Sequence, residues 1–298
     1  SEFLHDLRVA VRRTRSALAQ IREVFPSADV VLWKERFAWL QQVTGPVRDL
    51  DVYLLDFDGY RDSLPESLRP HLAPLRTFIL AHYDEEQAGL AAELGSPRLV
   101  EMLRDWRGFL ESPLPADPQA TNALRPVKEV ADERIRRMAR QVRKEGRAIG
   151  PDSPPEEMHE LRKSCKKLRY LMEFFQSLYP DGEVRELVKL MKTILDNLGN
   201  FQDLSVQAEH LREMAARMRD EGLAETDTLL AMGTLIGDLL ARRQRARDGF
   251  ASVFAGFLGD ENRRRLKALF ASPAQDPETP DTPAQGPMAP PAEGRAVR

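Results

Sequence analysis

Between residues 3 and 270 the apolar positions of this chain recur every three or four residues. That is the spacing of a helix that buries one stripe. Leu7, Val11, Leu18, Ile21 and Phe25 form one such stripe. Val127, Ala131, Ile135, Met138 and Val142 form a second, and Leu161, Cys165, Leu168, Met172 and Phe175 a third. The pattern predicts helices near residues 3–25, 29–43, 49–57, 66–94 and 97–111. It predicts more at 123–149, 155–179, 183–197, 203–220, 223–258 and 260–270. No convincing strand alternation appears, so the expected class is all-α. The segment "ESPLPADPQAT" (111–121) reads as a proline-rich linker. From Ala271 onward the chain is rich in Pro, Ala and acid, with little to bury, and is expected to be disordered. The predicted organisation is a first helical lobe over 1–111, a second over 122–270, and a tail over 271–298.

The two lobes share a sequence pattern. "HDLRVAVRRTR" (5–15) returns as "HELRKSCKKLR" (159–169). At an offset of 154, without a gap, ten positions are identical. They are His5/His159, Leu7/Leu161, Arg8/Arg162, Arg15/Arg169, Pro26/Pro180, Val30/Val184, Gly45/Gly199, Asp49/Asp203, Leu50/Leu204 and Val52/Val206. About three would arise by chance. The period is too long for a solenoid, so the expectation is two helical-bundle units facing across a pseudo-two-fold axis. The second copy is preceded by a helix at 123–149. The first has only Ser1 to Leu4 before His5, so the N-terminus reads as cut and the first lobe as lacking its first helix.

Composition narrows the function. With 298 residues, 42% hydrophobic and 31% charged, the chain is long enough for a substantial core and highly charged outside it. The single Cys165 excludes an internal disulfide and suits a reducing compartment, so a cytoplasmic location is expected. No signal peptide is evident. The most apolar long segment, 223–240, is interrupted by Glu225, Asp227 and Asp238, which argues against a membrane partner. A net charge of −3 argues against general attraction to nucleic acid, so any anion site must come from local clustering.

That clustering is present twice. At 100° per residue, His5, Arg8, Arg12 and Arg15 share one arc beside the apolar stripe, and His159, Arg162, Lys166 and Arg169 repeat the arrangement. Arg13, Lys163 and Lys167 add to it. A solvated helix face normally mixes signs and pairs Glu with Lys four residues apart. Here one acid stands inside each segment, Asp6 and Glu160. Like charges four apart repel by a few tenths of a kcal/mol, so the repetition points to an anion that offsets it. On the helix before the second copy, Arg137, Arg140 and Lys144 share a face and join the candidate set. Arginine grips two phosphate oxygens with its planar fork, and lysine supplies a compact charge, so an array of both suits a chain of phosphates.

The two repeated histidines are open to four roles: metal ligand, phosphate donor, phosphoryl acceptor or structural hydrogen bonder. Neither has a His or Cys at i+3 or i+4, so hydrogen bonding at the helix start is favoured. His71, His82 and His210 read as surface or packing residues. "TGPVRDLDV" (44–52) and "LGNFQDLSV" (198–206) read as turns, with Gly45 and Gly199 as left-handed helix stops and Asp49 and Asp203 as N-caps. No phosphate-binding glycine loop, nucleophile motif or cofactor motif occurs, so no catalytic residue, metal or cofactor is assigned.

Taken together, "HDLRVAVRRTRSAL", "GPVRDLDV", "HELRKSCKKLRYLMEFF" and "LGNFQDLSV" resemble the CHAD family, the conserved histidine α-helical domain, over roughly residues 1–270. The resemblance implies two four-helix bundles related by a pseudo-two-fold axis, with a basic groove between them that binds inorganic polyphosphate. It implies His5 and His159 as the family's histidines. It implies Arg8, Arg12, Arg13, Arg15, Arg162, Lys163, Lys166, Lys167 and Arg169 as its basic residues. It also implies a partner such as a CYTH-type or other polyphosphate-metabolising module, and association with polyphosphate granules. The sequence departs from two-fold equivalence at Val9, which stands opposite Lys163. The expectation is a non-enzymatic polyphosphate-binding module. The alternative is an enzyme or accessory subunit of polyphosphate metabolism using the histidines as metal ligands or phosphoryl acceptors. Nucleic acid is disfavoured as a partner because aromatics are scarce beside the basic segments, Tyr170 apart.

Overall fold

The computed structural model describes residues 2–113, 120–180 and 182–271. Most of the predicted linker and nearly all of the predicted tail lie outside them. Among the described residues there are ten α-helices and no strand. The helices are α1 (Glu2–Gln20), α2 (Ser27–Val43), α3 (Gly45–Ser63), α4 (Ala73–Leu94), α5 (Pro97–Glu111), α6 (Val127–Ala148), α7 (Pro155–Phe174), α8 (Glu183–Asp220), α9 (Thr226–Leu258) and α10 (Asp260–Leu269). Short 3₁₀ helices, Glu66–Leu72 and Gln176–Leu178, precede α4 and follow α7.

Proline and glycine mark many of the boundaries. Pro26, Pro126 and Pro154 hold extended backbone just before α2, α6 and α7. A fixed φ and a missing N–H cost little there. α8 ends where Gly222 takes a φ of +72° and the Leu223 amide donates back to the Met218 carbonyl at 2.7 Å. This left-handed stop is one that glycine adopts without strain.

The two sequence copies diverge at one point. α2 and α3 are separated at Thr44, because Pro46 has no amide to continue the helix and its ring crowds the turn before it. At the corresponding place the second copy has Asn200, and α8 runs unbroken for 38 residues, about 57 Å. The helix stop predicted at Gly199 and the N-cap predicted at Asp203 are therefore incorrect. Both residues lie inside α8, and neither Gly45 nor Gly199 has a positive φ. Glycine inside a helix costs only about 1 kcal/mol, and the packing of α8 outweighs it.

Three apolar clusters hold the helices. The first is built by α1, α2 and α5, with Trp33, Phe37 and Trp106 in edge contact; the Trp33 and Trp106 centroids are 4.8 Å apart. The second is built by α6, α7, α10, the first half of α8 and the second half of α9. Leu161, Cys165 and Leu168 are fully buried in it. Each buried leucine there contributes roughly 1.5–3 kcal/mol. The Phe254 ring lies directly against Gly146 of α6, where a Cβ would meet its Cζ at 2.1 Å. The third cluster is a separate one. It joins Tyr53, Phe57 and Tyr60 of α3 and Leu75 and Ile79 of α4 to Leu211, Met218, Leu235 and Leu239 of α8 and α9. This third cluster draws on both sides of the 112–121 segment, so it ties the two sequence copies together.

Candidate functional site

α1 and α7, the two helices that carry the repeated basic segment, pack against each other. Their apolar stripes turn inward: Val11 and Leu18 enter the first cluster, and Leu161, Cys165 and Leu168 the second. The cations lie beside these stripes, so they are drawn toward the seam where the two helices meet. Lys166 is at its centre. Its pKa is pushed down to about 8, first by burial and then by the charges of Arg162 and Arg12, with Asp203 opposing and Arg169 adding to the shift. Arg12 and Lys166 are 154 residues apart, the repeat offset. A second pair at the same offset meets in the third cluster, where Tyr53 Oη donates to the Gln207 carbonyl at 3.3 Å. Both pairs join positions that correspond at the offset of the sequence repeat.

The arginines are anchored at one end and open along the side. Arg162 Nη2 donates to both Asp203 oxygens, at 3.0 and 3.2 Å. Arg8 Nη1 donates to the Gln41 carbonyl at 2.8 Å and to Thr44 Oγ1 at 2.9 Å. Burial lowers the Arg8 pKa from its ordinary value, with Asp49 opposing the shift. Arg15 Nη1 reaches Gln41 Oε1 at 2.5 Å. The repeated Asp thus serves the repeated arginine. Asp203 and Asp49 supply the counter-charge. The arginines lie over the glycines, where a Cβ would stand 3.5 Å from Arg162 Nη2 and 3.8 Å from Arg8 Nη1. Those are ordinary contact distances, so steric need does not account for the glycines. Along the seam, the Nε groups of Arg12, Arg15 and Arg162 are buried without a hydrogen-bond partner, and Arg169 Nε faces a Glu173 carboxylate oxygen at 3.7 Å. A buried donor without a partner costs about 1–3 kcal/mol. Buried atoms do not reach a ligand outside, so what the seam offers an anion is the charge of these guanidinium groups and of Lys166.

Chemically, this face offers converging donors and fixed positive charge. Among the described residues there is no group of three or more His, Cys, Asp or Glu arranged to hold a metal. Cys165 is fully buried, and burial raises its thiol pKa far above the usual value, so it is not a nucleophile.

The model of the CHAD domain matches residues 1–212. The chain belongs to the CHAD family. Similar relatives are uncharacterised proteins from two Mycobacterium tuberculosis strains, each 27% identical over 229 residues. The match covers 74% of this chain but only 42% of theirs, so the chain spans about two fifths of the length of those relatives. The fold resembles the crystal structure of the CHAD domain from the plant Ricinus communis. The TM-score there is 0.68 at 23% identity, over 86% of this chain and 81% of that one. It also resembles PptA from Streptomyces chartreusis, with a TM-score of 0.61 at 18% identity, over 85% and 89% of the two chains.

Within this CHAD fold the sequence-predicted cations fall into three groups. Arg8, Arg12, Arg15, Arg162, Lys166 and Arg169 line or anchor the seam. His5, Arg13, Lys163 and Lys167 flank it. Arg13 pairs with Glu173 at 3.3 Å, Lys163 with Glu160 at 2.6 Å, and His5 is exposed. His159 Nδ1 lies 3.2 Å from Gln202 Oε1, consistent with the hydrogen-bonding role favoured for the histidines. The third group is Arg137, Arg140 and Lys144, which are exposed on α6. The charge of Arg137 acts on Arg134, whose Nε donates to the Gln20 carbonyl at the end of α1. None of the three is among the charges that act on Lys166. Sequence reasoning missed Gln41, Thr44, Gln202 and Glu173. Only Glu173 had a local signal, four residues after Arg169.

Proposed function

We propose that the α1–α7 seam binds inorganic polyphosphate and performs no chemistry on it. The observation that carries this reading is the gathering of cations from both sequence copies where α1 packs on α7: the charges of Arg12, Arg162 and Arg169 all act on the half-buried Lys166. An anion of many repeating phosphates neutralises such a cluster along its length, whereas one small anion neutralises part of it. Membership of the CHAD family supports the same reading. Nothing among the described side chains pairs a nucleophile with a base at the seam, so the function proposed is binding. A polyphosphate-processing protein, of the CYTH type or another, is the partner class that fits such a module.

The test is titration calorimetry with long-chain polyphosphate, repeated in the presence of excess DNA or RNA, alongside a phosphate-release assay with Mg²⁺ or Mn²⁺. Tight polyphosphate binding that nucleic acid does not displace, without phosphate release, is expected. Displacement by DNA or RNA at matched charge, or turnover lost in His159→Ala, contradicts the reading.

A further inference from the structure

One cavity beside the seam has a lining that inorganic polyphosphate would not use. Between the C-terminal halves of α1 and α7 lies a cleft of about 600 Å³, well within the range of small-molecule sites. Arg13 and Glu173 are at its charged side. Beyond them its walls are Tyr170, Phe174, Ile21 and Gln20. Phe174 is 56% exposed, an unusual state for a large aromatic residue beside a buried seam. Tyr170 is half-buried, with the Arg169 guanidinium carbon 5.1 Å from its ring centroid. Gln20, whose side chain can both donate and accept, is a buried residue of the cleft wall. The cleft continues the cation row. Tyr170 is four residues after Lys166, one helical turn or about 6 Å along α7, and Arg13 adjoins Arg12 on α1.

We infer that this cleft receives the nucleoside end of a nucleoside polyphosphate, whose phosphate chain runs back along the seam toward Lys166. The inference rests on the phosphate-binding reading of the seam and adds a second chemistry to it. A phosphate chain is recognised by charge and N–H donors alone. Exposed aromatic faces and a buried glutamine one turn beyond the cations suit a flat heterocycle. Such a ring stacks on aromatic side chains and is read at its edge by groups that donate and accept. The arginine against Tyr170 adds a cation face to the same platform.

The probes are adenosine 5′-tetraphosphate and inorganic tetraphosphate, titrated calorimetrically into the full chain at one salt concentration. The nucleotide is expected to bind more tightly by about fivefold or more, the lower end of what one stacked base contributes. Phe174→Ala removes an exposed ring, and Tyr170→Leu keeps bulk without an aromatic face. Each should bring the ratio toward one while leaving tetraphosphate within about twofold of wild type. If a melt shows Tyr170→Leu to be unfolded, Phe174→Ala alone decides. Equal affinity for the two probes in the wild-type chain overturns this inference and leaves the phosphate reading standing. So does a nucleotide advantage that survives loss of Phe174. Failure of both probes and of long-chain polyphosphate to bind overturns the phosphate reading itself, and this inference with it.

Discussion

Arg8 and Arg162 occupy the same place in the two sequence copies, yet they are held differently. Arg162 pairs with a carboxylate, Asp203, that is itself 61% exposed. Arg8 donates to a main-chain carbonyl and a threonine hydroxyl at the end of α2. The difference goes with the helix end before Pro46: there the Gln41 carbonyl accepts from both Arg8 and the Thr44 hydroxyl. Asn200 lets α8 continue, no helix end is created, and Arg162 takes its anchor from a side chain instead. Arg8 is therefore anchored at a helix end, and an exposed carboxylate anchors Arg162. Arg162 Nε is among the buried unpartnered donors, while none of the Arg8 nitrogens is.

The sharpest way to break this picture is at its centre. Lys166→Glu places a negative charge among Arg12, Arg162 and Arg169 and should weaken long-chain polyphosphate at least about tenfold, since one charged hydrogen bond contributes roughly 1.5–3 kcal/mol. Arg140→Glu makes the same charge change on the exposed face of α6 and should cost less than about threefold at physiological salt. Equal losses in a titration of the two variants would mean that the whole surface attracts polyphosphate and the seam has no special role.

A smaller effect separates the two arginines by stability. Arg8→Ala leaves the Gln41 carbonyl and the Thr44 hydroxyl without their charged donor and should cost about 1–3 kcal/mol. Arg162→Ala breaks a pair with an exposed carboxylate and should cost about 1 kcal/mol or less. Urea melts of both variants check this, and the reverse order would show that the helix end at Thr44 needs no help from Arg8.

The smallest expected effect is on pH. Lys166 titrates near pH 8 in the folded protein and near its ordinary, higher value when unfolded. Between those values the unfolded chain holds the extra proton, so the stability of the free protein should rise with pH through that window. Binding should move the other way, because a bound anion needs the protonated lysine. Affinity should fall from pH 7 to pH 9, and Lys166→Arg should flatten the dependence, since arginine stays charged. A wild-type affinity that is level across that range would place Lys166 outside the contact with phosphate.

Much of this was legible in the chain itself. The helical periodicity is unbroken by strand patterns, and all ten helices overlap predicted ones. The end of α2 at Val43 falls where it is expected, but the sign read for it is Gly45 and not Pro46, and Asp49, read as the next N-cap, lies inside α3. Gly199 and Asp203 announced a break that does not exist, because a local reading cannot weigh the packing of α8 against α7 and α9. The role of Asp203 was hidden for a related reason: its partner Arg162 is 41 residues away in sequence. The repeat did carry a trace of it, since Asp49 and Asp203 recur together with Arg8 and Arg162. The basic face of α6 is exposed, and none of Arg137, Arg140 and Lys144 is among the charges that act on Lys166. A helical wheel shows which residues share a face, but the docking of α6 decides where that face points. Arg140 and Lys144 point to solvent.

The central claim is that both copies line one site. Two triple variants test it: Arg8, Arg12 and Arg15 to alanine, and Arg162, Lys166 and Arg169 to alanine. Each is titrated with long-chain polyphosphate and with triphosphate, with a melt to confirm folding. Loss of at least about a hundredfold for the long chain in both variants is predicted, since three charged contacts are removed from either wall. Triphosphate, too short to engage both walls, should depend mainly on one trio or bind weakly throughout. A folded variant that lacks either trio and still binds long-chain polyphosphate with wild-type affinity contradicts the claim, and reduces that basic face to a solvated helix surface.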